Sequence, residues 1–252
     1  MDRAFFTELS CRARAAIAQA LKSDLGVIDK GVNGFDPVTQ ADRAAEQALR
    51  NVIGEAWPSD AIWGEEFGWT HEGATRVWSL DPVDGTRALI CGLPSWSTLV
   101  GVVEDGRHVA GMIDLPALGE RLIALDGVTE RDGKRVTASD CARVAKARLA
   151  TTDLFLFDKP EREAFERVRG SARVTRYGLD AMAYARVATG DIDLVVESGL
   201  KRHDYDALVA VVRDAGGTIG DWRGGTDFAD GQIVAAATRT LYDEAVALLD
   251  TA

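Results

Sequence analysis

Cysteine is scarce in this chain: Cys11, Cys91 and Cys141 are the only three in 252 residues, and their spacings are wide and unrelated. They build neither a disulfide framework nor a zinc site, which fits a reducing compartment. Histidine is equally rare, and His71, His108 and His203 lie too far apart to form a close metal-ligand pair, so a histidine-rich zinc hydrolase is set aside. No apolar run approaches the ~18 residues of a membrane span. The stretch from Met1 to Ser10 mixes Asp2, Arg3 and Glu8 with Phe5 and Phe6, and so lacks the apolar region of a signal peptide. A cytoplasmic protein without a membrane partner is the expectation. Basic residues are outnumbered, 29 against 40 acidic ones, and the net charge of −11 argues against nucleic acid and anionic lipid as partners.

What is present in quantity is apolar side chain, 46% of the residues, enough for a large core. Phe5, Leu9, Ala13, Ala16, Ile17, Ala20 and Leu21 recur at helical spacing over 2–22, and Ala44, Ala48, Leu49, Val52 and Ile53 do so over 40–54. Residues 96–104 and 107–115 are Val- and Ile-rich runs joined by Asp105-Gly106, which predicts an antiparallel hairpin, and Glu120 to Leu125 adds a strand. Beyond these the pattern alternates. Strands are predicted near 148–152, 192–196, 218–221 and 232–236, and helices near 160–169, 179–189 and 204–215. This is a layered α/β (α+β) arrangement. With no linker of Pro, Ser and Gly and no internal repeat, two subdomains of one compact unit are expected, 1–138 and 139–252, with a site between them.

The stretch Trp78-Ser79-Leu80-Asp81-Pro82-Val83-Asp84-Gly85-Thr86 ends an apolar run with two carboxylates around a proline. Pro82 pushes Asp81 toward extended backbone, and Gly85 frees the chain to turn before Thr86. Both acids can then converge at the end of a strand with the Val83 carbonyl between them, a donor set suited to a hard cation such as Mg²⁺. Asp-Pro-x-Asp-Gly is also an ordinary turn sequence. Its company decides more: Trp63-Gly64-Glu65-Glu66 lies upstream, Asp36-Pro37-Val38-Thr39-Gln40-Ala41-Asp42 earlier still, and His203-Asp204-Tyr205-Asp206 opens an apolar helix that closes on Ala215-Gly216-Gly217.

Four acidic motifs in this order resemble the inositol monophosphatase family of Mg²⁺-dependent, lithium-sensitive phosphatases, over nearly the whole chain. Gly178-Leu179-Asp180-Ala181-Met182-Ala183-Tyr184-Ala185 and the run from Glu197 to Leu208 look more like the histidinol-phosphatase branch, which reads G-x-D-x-x-A-Y-A and E-x-G-L-K-x-x-D-x-x-A-L. Inositol monophosphatases proper tend to carry W-D-x-A-A-G at the helix-opening Asp. The resemblance implies alternating α-β-α-β-α layers. It also implies metal coordination by Glu65, Asp81, Asp84, Asp204 and the Val83 carbonyl, with Asp42 positioning the nucleophile and a third, weaker ion near Glu65. Glu65, and not the adjacent Glu66, holds the family position.

Each of these acids has an ordinary reading as well. Thr39-x-x-Asp42 fits a capping box, Asp204 fits the first turn of its helix, and Glu65 fits a solvated loop. Gathered in one pocket, however, five carboxylates repel and need cations. Two ions would activate a water and stabilise the leaving oxygen, and they would turn an acidic pocket into a receptor for a phosphomonoester despite the net charge. Thr86 with Asp42 is expected to orient the water, while the amides of Gly85 and Thr86 suit a phosphate. Lys30 is a candidate flap residue. Asp180 and Glu197 are the expected contacts for a cationic substrate such as histidinol phosphate, although Glu197 could instead pair with Arg186 or Lys201. His203 stands where the family has Trp or Tyr. The expectation is therefore a phosphomonoesterase with two to three Mg²⁺, a homodimer. Its rivals are an inositol-1-phosphate or broad sugar-phosphate phosphatase and a non-catalytic binding descendant; the presence of all five carboxylates and Thr86 counts against the latter.

Overall fold

The computed structural model describes residues 1–22, 27–29 and 37–250. In chain order the elements begin with helix α1 (Arg3–Ala20), the paired short strands β1 (Ile28–Asp29) and β2 (Pro37–Val38), and α2 (Gln40–Ala56). Strands β3 (Ala61–Gly64), β4 (Gly68–Thr70) and β5 (Arg76–Asp84) follow, then the short α3 (Thr86–Ile90). Next come β6 (Ser97–Glu104), β7 (Arg107–Leu115), β8 (Glu120–Leu125), β9 (Val128–Arg131) and β10 (Lys134–Arg135). The remaining elements are β11 (Arg148–Thr151), α4 (Lys159–Ser171), β12 (Val174–Tyr177), α5 (Met182–Ala188), β13 (Leu194–Glu197), α6 (Arg202–Asp214), β14 (Thr218–Gly220), β15 (Ile233–Ala236) and α7 (Arg239–Leu249).

Strands β3 to β10 form an eight-stranded sheet in the order β10-β9-β8-β7-β6-β5-β3-β4, antiparallel except where β3 runs parallel to β5. The last five strands form a second sheet, β12-β11-β13-β15-β14, with parallel pairs at β12, β11 and β13. Strand period assigns the side chains to layers. Val100, Val102 and Met112 face Phe6, Leu9, Ile17, Leu49 and Ile53 of α1 and α2. The alternate residues Leu99, Ile113 and Leu115 face α5 and α6, which are covered on their other side by Val195, Ile233 and Ala235 of the second sheet. Leu194, Val196, Val234 and Ala236 look outward to Phe165 and Val168 of α4 and Leu241 and Ala245 of α7. The layers are thus α-β-α-β-α, as the resemblance implied. A sheet covered on both faces takes apolar residues on both sides of its strands, which therefore read as near-continuous runs, broken at buried polar positions such as Ser79, Thr98 and Asp114.

Helix α6 lies unusually close to the first sheet. Gly101 and Gly111 are paired across β6 and β7. A Cβ on Gly101 would stand 2.7 Å from the Ala207 nitrogen and one on Gly111 would stand 2.4 Å from the Ala207 carbonyl oxygen, so only glycines admit the helix backbone here. The hydroxyl of Ser79 on β5 lies 3.3 Å from the Arg202 carbonyl oxygen at the start of the same helix.

One predicted helix is shorter than expected. The segment 179–189 becomes helical only at Met182, because Asp180 holds a positive φ of 48° after Gly178 at 73°, and a chain in that region leaves the helical path.

Candidate active site

The acidic motif sits at the end of β5, where the strand carries a bulge. Asp81 pairs with Leu99 and Asp84 with Ser97, so three steps along β5 oppose two along β6. In a regular strand residues three apart point to opposite faces; the extra residue brings Asp81 and Asp84 to the same side. Thr98 Oγ1 donates to the Pro82 carbonyl at 2.8 Å and the Val83 N–H donates to Asp81 Oδ1 at 3.1 Å, which supports the irregular backbone. Gly85 then takes φ 78° and ψ 40° and opens α3.

Asp42 and Thr86 meet across this bend. The Thr39 amide and hydroxyl both donate to Asp42 Oδ2, at 2.9 and 2.5 Å, and the amide's bond, with the Asp42 N–H donating back to the Thr39 side chain, makes the capping box of α2. The capping role leaves the other oxygen of Asp42 available, and its Oδ1 lies 3.2 Å from Thr86 Oγ1. Thr86 Oγ1 is also 3.0 Å from the Val83 carbonyl oxygen. Asp84 accepts through Oδ2 from Ser97 Oγ at 3.0 Å and from the Ala181 N–H at 2.9 Å. Asp204 arrives from the other half of the chain in the first turn of α6, where its Oδ2 accepts from the Lys201 N–H at 2.6 Å. Glu65 follows β3 directly, and its N–H donates to the Leu80 carbonyl at 3.1 Å, one residue from Asp81.

These acids feel one another. Burial raises the Asp81 carboxyl well above its ordinary value, and Glu65, Asp84, Asp204 and Asp42 push it further. Asp84 is raised well above its ordinary value by burial and then by Asp180, against the Ala181 amide. Burial also raises Asp204, with His203 opposing, and Asp42, with Glu65 adding to the rise. The set is all hard oxygen, largely desolvated and like-charged, which is the chemistry of a divalent-cation site. The residues fit such a group. Among the described residues no three Asp, Glu, His or Cys side chains stand in the arrangement of a formed metal centre. Asp81, Asp84 and Asp204 each engage one oxygen with a protein donor, so the fold supplies neighbouring carboxylates of fixed orientation rather than a closed coordination shell.

Asp180 and Glu197 adjoin this cluster. A Cβ on Gly85 would stand 2.9 Å from Asp180 Oδ2. Burial pushes the Asp180 carboxyl up to about 6, with Ser95 and Arg87 opposing. Glu197 is buried at the end of β13 and pushed up to about 7 by that burial, with Asp180 adding to the rise. Its oxygens accept from Thr152 Oγ1 at 2.5 Å and from Tyr184 OH at 2.9 Å. The alternative of a Glu197 pair with Arg186 is corrected by these contacts: Arg186 is bound at 2.6 and 3.1 Å to Glu120. His203 is buried, with Nε2 3.4 Å from Asp204 Oδ1 and Nδ1 without a hydrogen-bond partner among the described residues. Lys30 and Asp36 lie outside the described residues. The sequence reading missed Ser97 and Thr152, whose hydroxyls hold the acids, because single hydroxyl residues carry no spacing signal, and it quoted Tyr184 in a motif without seeing that its hydroxyl binds Glu197.

An acidic cluster on a bulged strand, between two sheets in five layers, defines the class. The family description "inositol monophosphatase family" matches residues 2–252, and the chain belongs to that family. It is 42% identical over 211 residues to the bifunctional phosphatase IMPL2, chloroplastic, of Arabidopsis thaliana; the match covers 82% of this chain but 60% of that protein, so the chain spans less than two thirds of that relative's length. It is 35% identical to the histidinol-phosphatase of Mycobacterium tuberculosis, over 85% of each chain. The solved structure of an inositol monophosphatase from Zymomonas mobilis superposes with a TM-score of 0.87 at 36% identity, covering 98% of this chain and 96% of that one. Among the described residues no helix is long and apolar enough to cross a membrane.

Proposed function

We propose that the chain is a Mg²⁺-dependent phosphomonoesterase acting on L-histidinol phosphate. Glu65, Asp81, Asp84, Asp204 and the Val83 carbonyl are the residues that would hold the metal, two to three ions in all. Bound there, Mg²⁺ would supply a lowered pKa for an attacking water and neutralise charge on the phosphoryl and leaving oxygens.

The residues themselves do the orienting. Asp42 is held from behind by both donors of Thr39, so its Oδ1 and the Thr86 hydroxyl form a fixed pair able to align a water and take its proton. The hydroxyl of Thr86 has one proton for two acceptors, Asp42 Oδ1 and the Val83 carbonyl, and engaging that carbonyl elsewhere turns the proton toward Asp42. The Gly85 and Thr86 amides at the bend face the phosphate.

The observation that carries the choice of substrate is the second carboxylate pair, Asp180 and Glu197, beside the first cluster. Two further acids, Glu197 buried and Asp180 half-buried, adjoining a cation site add repulsion unless the ligand brings positive charge. Histidinol phosphate brings an ammonium group and an imidazole, whereas inositol phosphates bring hydroxyls. The near-equal identities to a histidinol-phosphatase and to an inositol monophosphatase, 35% and 36%, leave that choice to the site.

The deciding experiment is phosphate release by the purified protein with Mg²⁺ on both esters. A kcat/KM at least ~10-fold higher for histidinol phosphate is expected, and Asp180→Asn should erode it far more than turnover of inositol 1-phosphate, since removing one member of a desolvated charge pair costs about 2–5 kcal/mol. A preference for the inositol ester, or equal losses on both, would reverse the assignment.

A further inference from the structure

We infer that Glu46 is a positioning residue that fixes the turn presenting Glu65 and thereby sets the affinity of the site for divalent cation; this rests on the metal reading given above. Glu46 lies on α2 one helical turn after Asp42 and is fully buried. Its Oε2 accepts from the Glu66 N–H at 2.7 Å and its Oε1 from the Phe67 N–H at 3.2 Å, the two amides that follow Glu65. Arg50, one turn further along α2, pairs with Glu46 Oε1 at 2.7 Å and reaches past it to Thr70 Oγ1 at 2.8 Å and to the Gly68 carbonyl. One face of α2 therefore grips the whole turn from β3 to β4.

Gly64, the residue before Glu65, completes the joint. A Cβ there would stand 2.0 Å from Glu46 Oε1 and 2.4 Å from its Cδ, so the carboxylate fills the space that any side chain at 64 would need. The requirement for glycine in Gly64-Glu65-Glu66 is a requirement for room to admit Glu46. Glu65 is consequently pinned on both sides, by its own N–H to Leu80 on β5 and by the next two amides to α2. Asp42 and Glu46, four residues apart, ride on one rigid helix at ~6 Å of rise. Their spacing fixes the turn that carries Glu65 relative to the Asp42–Thr86 pair. A buried carboxylate bonded to two amides and to the Nε of Arg50, whose two terminal nitrogens hold Thr70 and Gly68, is stiff, since any displacement breaks several bonds together.

The test titrates Mg²⁺ alone into the full-length wild type, Glu46→Gln and Gly64→Ala by calorimetry, beside the Mg²⁺ dependence of phosphate release and the Tm in EDTA. Glu46→Gln keeps the length but loses the charge facing Arg50 and one acceptor. Gly64→Ala crowds the same carboxylate and leaves it chemically intact. Arg50→Lys, a milder change that keeps the charge and loses the fork, provides a third reading that does not place an uncharged amide in the buried pocket. The expected result is a Mg²⁺ dissociation constant raised at least ~10-fold in the first two variants, about 1.4 kcal/mol, and raised less in the third. At saturating Mg²⁺ their kcat should return to within about threefold of wild type, because Glu46 touches no reacting atom. Folded variants with a lowered Tm but an unshifted Mg²⁺ midpoint would reduce Glu46 to a structural ion pair and overturn the inference alone. A wild type that binds no Mg²⁺ would instead overturn the metal reading, and this inference with it.

Discussion

Replacing Gly85 with alanine probes the tightest joint of the site. Gly85 sits at φ 78°, a region that costs a residue with a Cβ roughly 1–2 kcal/mol. The added carbon would also stand 2.9 Å from Asp180 Oδ2 and 3.0 Å from its Cγ, closer than such atoms normally come. Asp180 has little freedom to retreat: its own φ is 48°, and the N–H of the next residue, Ala181, is bonded to Asp84. Either Asp180 swings aside or the bend between Asp84 and Thr86 opens. Each response displaces a group that the proposed mechanism uses, and a misplacement of ~1 Å costs on the order of 10²-fold in rate. The backbone strain should lower the Tm by about 2–8 °C, at roughly 2–4 °C per kcal/mol for a chain of this size. Thermal melts and phosphate release at saturating Mg²⁺ measure both effects. A Gly85→Ala protein with undiminished turnover of histidinol phosphate and a Tm within about 1 °C of wild type would refute the tight joint.

Activity should vanish in excess EDTA and return with Mg²⁺, and Asp84→Asn should lower kcat by at least ~10²-fold, since it removes charge from a proposed metal ligand while keeping its shape; full turnover in EDTA would remove the metal from the mechanism. Asp42→Asn and Thr86→Ala should lower kcat by ~10²–10⁴-fold with Mg²⁺ affinity intact, because their proposed role is to align the water; calorimetry that finds affinity lost in step with rate would reassign them as ligands. Burial pushes Glu197 up to about 7 from 4.5, so the folded protein holds a proton that the unfolded chain has released over that interval. Its contribution to stability is full below the unfolded value and is lost as pH rises through the folded one. Metal-free wild type should accordingly lose on the order of 3 kcal/mol more than Glu197→Gln between those limits, and superimposable Tm-against-pH curves in EDTA would contradict the shift.

Much of the scaffold is legible in the chain because its layers are covered on both faces. The runs predicted at 96–104 and 107–115 are rich in Val, Leu, Ile, Met and Ala and are joined by Asp105-Gly106, and they form the predicted hairpin, β6 and β7. Strand β12 was missed: Val174-Thr175-Arg176-Tyr177 is an edge strand, largely exposed, and so lacks an apolar signature. Helix α3 is five residues long and depends on the left-handed Gly85, which periodicity cannot reveal. At the site, the acids of the linear motifs were legible and what holds them was not. The bulge that turns Asp81 and Asp84 to one face arises from pairing with β6, and the hydroxyls of Thr152 and Tyr184 approach Glu197 only through tertiary packing. Glu46 reads in sequence as one more charge on a helix, although it is buried against a turn 20 residues away.

The glycine pair Gly101 and Gly111 has a consequence for the order in which the molecule acquires its chemistry. By admitting the backbone of α6 onto the first sheet, these residues let Asp204 complete a cluster whose other members are encoded more than a hundred positions earlier; the neighbouring Ser79–Arg202 contact spans 123 residues of chain. A ribosome-bound chain that has emerged only through β10 already carries Glu65, Asp81 and Asp84 but has nothing to lay across them, and it should ignore Mg²⁺. With the cation held as proposed, its capture becomes a timestamp for the final docking of the two sheets.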